Sequence, residues 1–205
     1  MRYVLAFVLL FAAGCAPEEK PDYFPLTEGA RRFMRVSSRK VVDSDTTEQT
    51  EVRMTAYVHG EKEVPELGKV WVVESPRDSG PPTYSYFRRE PEAVIQVVPI
   101  AGREPLEVRY LALPLSKGRN WYDTEEQREW FEVVARETVE VEAGTFPDCY
   151  KVAIVSTGVD WAMHQWYAPD VGQVKWESRA AWTKDGVKHE LVRKAELVRY
   201  EVPAE

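Results

Sequence analysis

Two cysteines and three histidines among 205 residues leave little material for a metal centre or a disulfide framework. The histidines, His59, His164 and His189, are scattered. His189-Glu190 has no second histidine four residues on, so the zincin pattern is absent. No G-x-S-x-G elbow occurs, and Walker and dinucleotide glycine patterns are also missing. Basic residues never run beyond a pair such as Arg31-Arg32 or Arg88-Arg89, and the formal net charge is −7. A phosphate backbone would find no complementary groove, so nucleic acid is excluded as a partner. Acid pairs exist, including Glu125-Glu126 and Glu140 with Glu142. Carboxylates cleave a glycosidic bond only when they face each other across a cleft, whereas two acids on one strand face normally point to water. These absences predict no catalytic residue, no metal and no cofactor. The chain reads as non-enzymatic, with a hydrolase as the weaker alternative.

Long apolar runs are missing too. The longest, residues 3–13, rises about 1.5 Å per residue as a helix and falls far short of a ~30 Å hydrocarbon core. Behind Arg2, and followed by small residues, it reads as a secretory signal. Phe11-Ala12-Ala13-Gly14-Cys15 resembles a bacterial lipobox, in which the chain is cut before a cysteine that carries acyl chains such as palmitate. The expected division is a lipoprotein signal peptide over 1–14, a tether over 15–22 and one β-rich domain over 23–205. Two prolines and three acids extend the tether, and Cys15 makes a membrane partner through its lipid. Ala16 stands where aspartate would retain the protein at the inner membrane. The expected location is therefore the cell envelope, at the outer membrane facing the periplasm. With Cys15 acylated, Cys149 has no disulfide partner and is expected to be a buried, inert thiol.

What the chain does have is alternation. Hydrophobic residues make up 44% of it and aromatics 12%, seven of them Trp, mostly in strand-like runs. Strands are expected near residues 31–42, 47–58, 68–74, 84–89, 93–98, 106–111, 131–142, 149–156, 161–168, 173–182 and 191–202, with loops at 60–67 and 75–83. Val70-Trp71-Val72-Val73 is apolar without interruption, as in a strand covered on both faces. Thr124 to Gln127 fits a capping box, so residues 123–128 form either a short helical turn or a polar hairpin loop. The predicted fold is all-β and mainly antiparallel: a single curved sheet or half-barrel, with room for one short helix.

Residues 24–33 align without gaps to residues 113–122, sharing apolar, Pro, Leu, hydroxyl, charged, Gly and a closing aromatic. A duplicated half-domain and two sheet entries that need the same turn explain this equally well. Trp166 to Trp176 (WYAPDVGQVKW) is the densest aromatic stretch, two arms meeting across a Pro and Gly turn. Trp161, Met163 and Tyr167 share one face of its first arm; Ala162, His164 and Trp166 share the other. Val174, Trp176, Ala180 and Trp182 share parity on the second arm. Core packing accounts for such faces, and so does an apolar pocket or a partner surface. The candidate ligand-binding residues are Trp161, Trp166, Tyr167, Trp176 and Trp182.

Three stretches taken together are similar to a known group. Phe24-Pro25-Leu26-x-x-Gly29, Val141-Glu142-Ala143-Gly144-Thr145-Phe146 and Trp166 through Lys175 resemble uncharacterised β-rich bacterial envelope proteins called TapB-like, many of them lipoproteins. The resemblance implies a curved antiparallel sheet somewhat like the half-barrels of lipoprotein carriers, and it brings no catalytic residues. The expected function is a lipid-anchored, non-enzymatic envelope protein that binds an apolar ligand or an envelope protein. The alternative is a structural or assembly lipoprotein acting through its surface alone.

Overall fold

The computed structural model describes residues 21–77 and 80–203; the signal peptide, Cys15 and most of the tether lie outside the described residues. Twelve strands follow one another: β1 (Arg31–Val42), β2 (Asp45–Val64), β3 (Gly68–Ser75), β4 (Thr83–Glu90), β5 (Ala93–Val98), β6 (Leu106–Ala112), β7 (Asn120–Tyr122), β8 (Glu129–Val141), β9 (Gly144–Ser156), β10 (Trp161–Ala168), β11 (Gly172–Lys184) and β12 (Val187–Glu201). All belong to one sheet in the order β6-β5-β4-β3-β2-β1-β12-β11-β10-β9-β8-β7. Each strand pairs antiparallel with its sequence neighbours, except that β1 pairs with β12 and no ladder joins β6 to β7. The two edges still approach. The Arg109 N–H donates to the Asp123 carbonyl at 2.7 Å, and Trp121 Nε1–H donates to the Arg109 carbonyl at 3.2 Å. The curved sheet is thus an up-and-down barrel, nearly closed, with its seam between β6 and β7.

The predicted all-β class holds, and among the described residues there is no helix. At Thr124–Gln127 the capping-box reading gives way to a turn: Asp123 Oδ1 accepts the Glu129 N–H at 3.0 Å, and the chain returns into β8. The loop expected at 60–67 is mostly strand. A register shift between Val58 and Glu61 absorbs Gly60 (φ +88°), and β2 then resumes opposite β3. Pro147, which falls between the strands expected at 131–142 and 149–156, lies inside β9, where irregular pairing with β8 spares it a ladder hydrogen bond. The three-residue β7 is too short to show a period, and no sequence expectation covers it.

Inside the barrel, Val58, Val73, Phe87, Val94, Val133, Val152, Ile154 and Tyr167 form the main core. Val70 and Val72 pack on the opposite face with Ala93, Ile95 and Val97, so β3 is buried on both sides as its unbroken apolar run predicts. The lead-in to β1 adds Tyr23, Phe24 and Leu26 to the main core, each stabilising by roughly 1.5–3 kcal/mol. It is clamped from two directions. Arg89 binds the Asp22 carboxylate at 2.8 Å and the Phe24 carbonyl at 2.9 Å, while the Asp170 N–H donates to the Asp22 carbonyl at 2.7 Å.

The two similar decapeptides occupy matching places. In the first, Gly29 N–H donates to the Val58 carbonyl, Val58 N–H to the Ala30 carbonyl, and Ala30 N–H to the Thr27 carbonyl. In the second, Gly118 N–H donates to the Val133 carbonyl, Val133 N–H to the Arg119 carbonyl, and Arg119 N–H to the Ser116 carbonyl. Both glycines have positive φ, +80° and +85°. β1 to β6 and β7 to β12 are therefore two six-strand meanders entered by the same turn.

Candidate functional site

Strand lengths differ around the barrel, and the difference makes a groove. β1, β2, β11 and β12 have 12, 20, 13 and 15 residues, against 8, 6, 7 and 3 for β4, β5, β6 and β7. Residues 45–54 of β2 are exposed throughout, so this part of the long strands carries an inner face that is open to solvent. On that face Arg32, Met34, Val36, Ser38 and Lys40 of β1 stand beside Ala56, Met54, Val52, Thr50 and Glu48 of β2. Val36 pairs with Ala195 of β12, and Ala195 with Trp176 of β11, extending the row across four strands. Val52 and Met54 are each 44% exposed, an unusual state for apolar side chains on the concave side of a sheet.

Two connected hollows lie along this face. The outer, about 500 Å³, is lined first by Val36, Val52, Met54 and Trp176, then by Ser38, Thr50 and Arg193, with Lys40, Glu48 and Leu191 at its far end. The inner, about 170 Å³, shares Val36, Met54 and Trp176 and adds Phe24, Arg32, Phe87, Tyr110 and Gln173. The groove is thus apolar along its middle, around Met54, Val52, Val36 and Trp176, and polar at both ends.

Arg32 dominates that inner end. Its Nη2 donates to the Pro25 carbonyl at 2.8 Å and its Nε to the Val171 carbonyl at 3.2 Å, and its guanidinium lies 5.6 Å from the centroid of Tyr200. Burial pulls its pKa down, and Tyr200 partly opposes that. No carboxylate lies within 4 Å of it among the described residues; the nearby Asp22 is held by Arg89. Tyr110 and Tyr167 lie beside Gln173, and burial raises both phenol pKa values, keeping the hydroxyls protonated. The Tyr167 hydroxyl donates to Gln165 Oε1. The Gln173 Nε2 is buried beside the two tyrosine hydroxyls and has no acceptor within hydrogen-bond distance.

Of the five aromatics singled out in the sequence, only Trp176 lines this groove. Tyr167 is a fully buried core residue, and half-buried Trp161 packs against the same core. Trp166 faces the other way, in a cluster with Val139, Cys149, Ala168 and Val174. Its Nε1–H donates to Glu137 Oε1 at 2.6 Å, and the Nζ atoms of Lys151 and Lys175 lie 4.8 and 4.7 Å from its ring centroid. Trp182 stacks on His189 at 5.4 Å and borders a separate polar hollow with Asp43, Asp160 and Arg179. The shared parity expected for Val174 and Trp176 is broken by a register shift between Trp166 and Tyr167, which places Val174 with the outer cluster and Trp176 in the groove.

Cys149 is fully buried, its Sγ 3.3 Å from the Phe146 carbonyl, and desolvation pushes its pKa up to about 11. It is the buried thiol the sequence predicts. Among the described residues no three His, Cys, Asp or Glu side chains gather as for a metal ion.

No protein-family model matches the chain, and no curated protein does. Among solved structures it is similar to a Bacteroides fragilis protein described as exported, with a YmcC-like fold: 18% identity and a TM-score of 0.48 over 89% of this chain and 100% of the other. A protein from Parabacteroides distasonis described as a lipoprotein gives 17% identity and a TM-score of 0.48 over 90% of this chain and 100% of its own. At that distance neither carries a site, a ligand or a location over to this chain. The TapB-like resemblance rests on its three motifs alone.

Sequence reading missed Arg32, Met34, Val36, Val52, Met54 and Gln173. A signal for the first was present: Arg32 shares parity with Met34 and Val36, a charge at the head of an apolar strand face. Nothing in the sequence said that this face would be left uncovered.

Proposed function

We propose that the protein is a lipid-anchored envelope protein, non-enzymatic, that holds an apolar ligand in the groove between β1, β2, β11 and β12. The observation that carries this reading is the row Met54, Val52, Val36 and Trp176: apolar side chains on a concave face, two of them open to solvent. The lipobox-like stretch ending at Cys15 supports the anchor and the envelope location.

The mature protein extracted from membranes is the material for the test. It should bind a hydrophobic dye and release bound lipid in native mass spectrometry. Met54→Glu and Val52→Glu place charge on partly exposed groove positions and should weaken dye binding about 10-fold or more, with little change in melting temperature. A wild-type protein that binds neither dye nor lipid would remove the ligand reading. Labelled palmitate should enter the wild type and not Cys15→Ser; equal labelling would remove the anchor.

A further inference from the structure

We infer that the occupant of the groove is a single-chain amphiphile with an anionic head, seated with the head on Arg32 and Gln173 and the chain along Met34, Val36, Met54 and Trp176. The inference rests on the reading of the groove as a ligand site and names the chemical class that fits it. Two independent observations point to the anion. Arg32 brings a formal positive charge to the inner end, and the described partners of its N–H groups are two backbone carbonyls. A guanidinium stays protonated in proteins, so the site has no escape through neutralisation. The second observation is Gln173, whose buried Nε2 lies beside the Tyr110 and Tyr167 hydroxyls with no acceptor within hydrogen-bond distance, and which lines the same 170 Å³ hollow. Buried donors without acceptors are costly, and here a charged and a neutral donor line one hollow. An anionic oxygen pair would satisfy both, with the planar fork of Arg32 suited to binding it.

The rest of the groove fits the chain. From Arg32 to Ser38, which pairs with Arg193, the strand extends about 20 Å at ~3.3 Å per residue. One leaflet of a ~30 Å hydrocarbon core is about 15 Å deep, so an acyl chain of membrane length lies within the apolar stretch and ends before the charges. Those charges, Lys40, Glu48 and Arg193, are mixed in sign and offer the tail nothing.

Dye displacement from the mature wild-type protein, below the critical micelle concentration of each probe, tests the inference. The probes are hexadecanoate, hexadecyl phosphate and hexadecanol. At least one anion should displace the dye about 10-fold more strongly than the alcohol, the margin expected of charge-assisted hydrogen bonds. Preference for the carboxylate would assign a fatty acid, and preference for the phosphate a lysolipid head. Arg32→Gln should abolish the discrimination while leaving alcohol binding in place. Should that variant fail to fold, the wild-type comparison still decides, and Gln173→Leu supplies a second variant expected to narrow the margin. Equal binding of acid and alcohol would overturn the anionic head but leave the apolar groove standing. Displacement by none of the three, with the dye still sensitive to Met54→Glu, would overturn the amphiphile. Absence of dye binding altogether would sink the groove itself.

Discussion

Gly172 shows how one residue joins a turn to the site. It has φ +85°, and a Cβ there would lie 3.1 Å from Arg32 Nη2 and 3.2 Å from Pro25 Cδ. The left-handed conformation disfavours any side chain, and the neighbours add crowding against the group that heads the groove. Gly118 has the same φ, +85°, but a Cβ there would meet nothing within 4 Å. Gly118→Ala should therefore cost about 1 kcal/mol, and Gly172→Ala visibly more, with Gly172→Val worse still. Thermal melts followed by circular dichroism check the order. Equal losses at the two glycines would mean that Arg32 and Pro25 yield freely.

At the level of a single hairpin, three of the five aromatics on β10 and β11 have three different tasks. Tyr167 fills the barrel, Trp166 fastens the outer face between two lysines, and Trp176 lines the groove. Trp166→Ala should lower stability by about 3–5 kcal/mol, as for other large buried residues, and leave the affinity of the remaining folded protein for dye unchanged. Trp176 is only half-buried. Trp176→Ala should cost less stability and weaken dye binding several-fold. Denaturant unfolding paired with dye titration separates the two; the opposite pattern would exchange their assigned tasks. The arms were legible from alternation, and the corner from Pro169 and Gly172. Their faces were not fully legible, because the register shift at Trp166/Tyr167 moves Val174 off the parity of Trp176, and nothing in the residues marks it.

Over the whole molecule, the two meanders join unequally. β1 and β12 share a ladder from Arg31↔Glu201 to Val42↔His189, while β6 and β7 meet through one backbone hydrogen bond, Arg109 to Asp123, and the Trp121 indole. Few backbone bonds mean low local stability. Hydrogen exchange should open the Arg109 amide and its β6 neighbours well before those of the middle of β1. Protection equal to that of β1 would show a closed barrel. The outer hollow lies on the β1–β12 side, away from the seam, whereas Tyr110 of β6 carries the wall of the inner hollow to it.

Residue order alone was enough for the all-β class, most strand positions, the reversal at 168–172, the repeated entry at Gly29 and Gly118, and a thiol at Cys149 that would be buried. These are local: alternation, a positive φ and the company of apolar neighbours act within a few residues. It took the folded chain to establish that β1 and β12 join the two meanders, that the first half of β2 stands exposed, and that Arg32 and Gln173 from distant parts of the chain line one hollow at the inner end of the groove. Strand partners and length mismatch are set by packing between segments far apart in sequence, and a two-residue period reports which residues share a face without reporting what covers it.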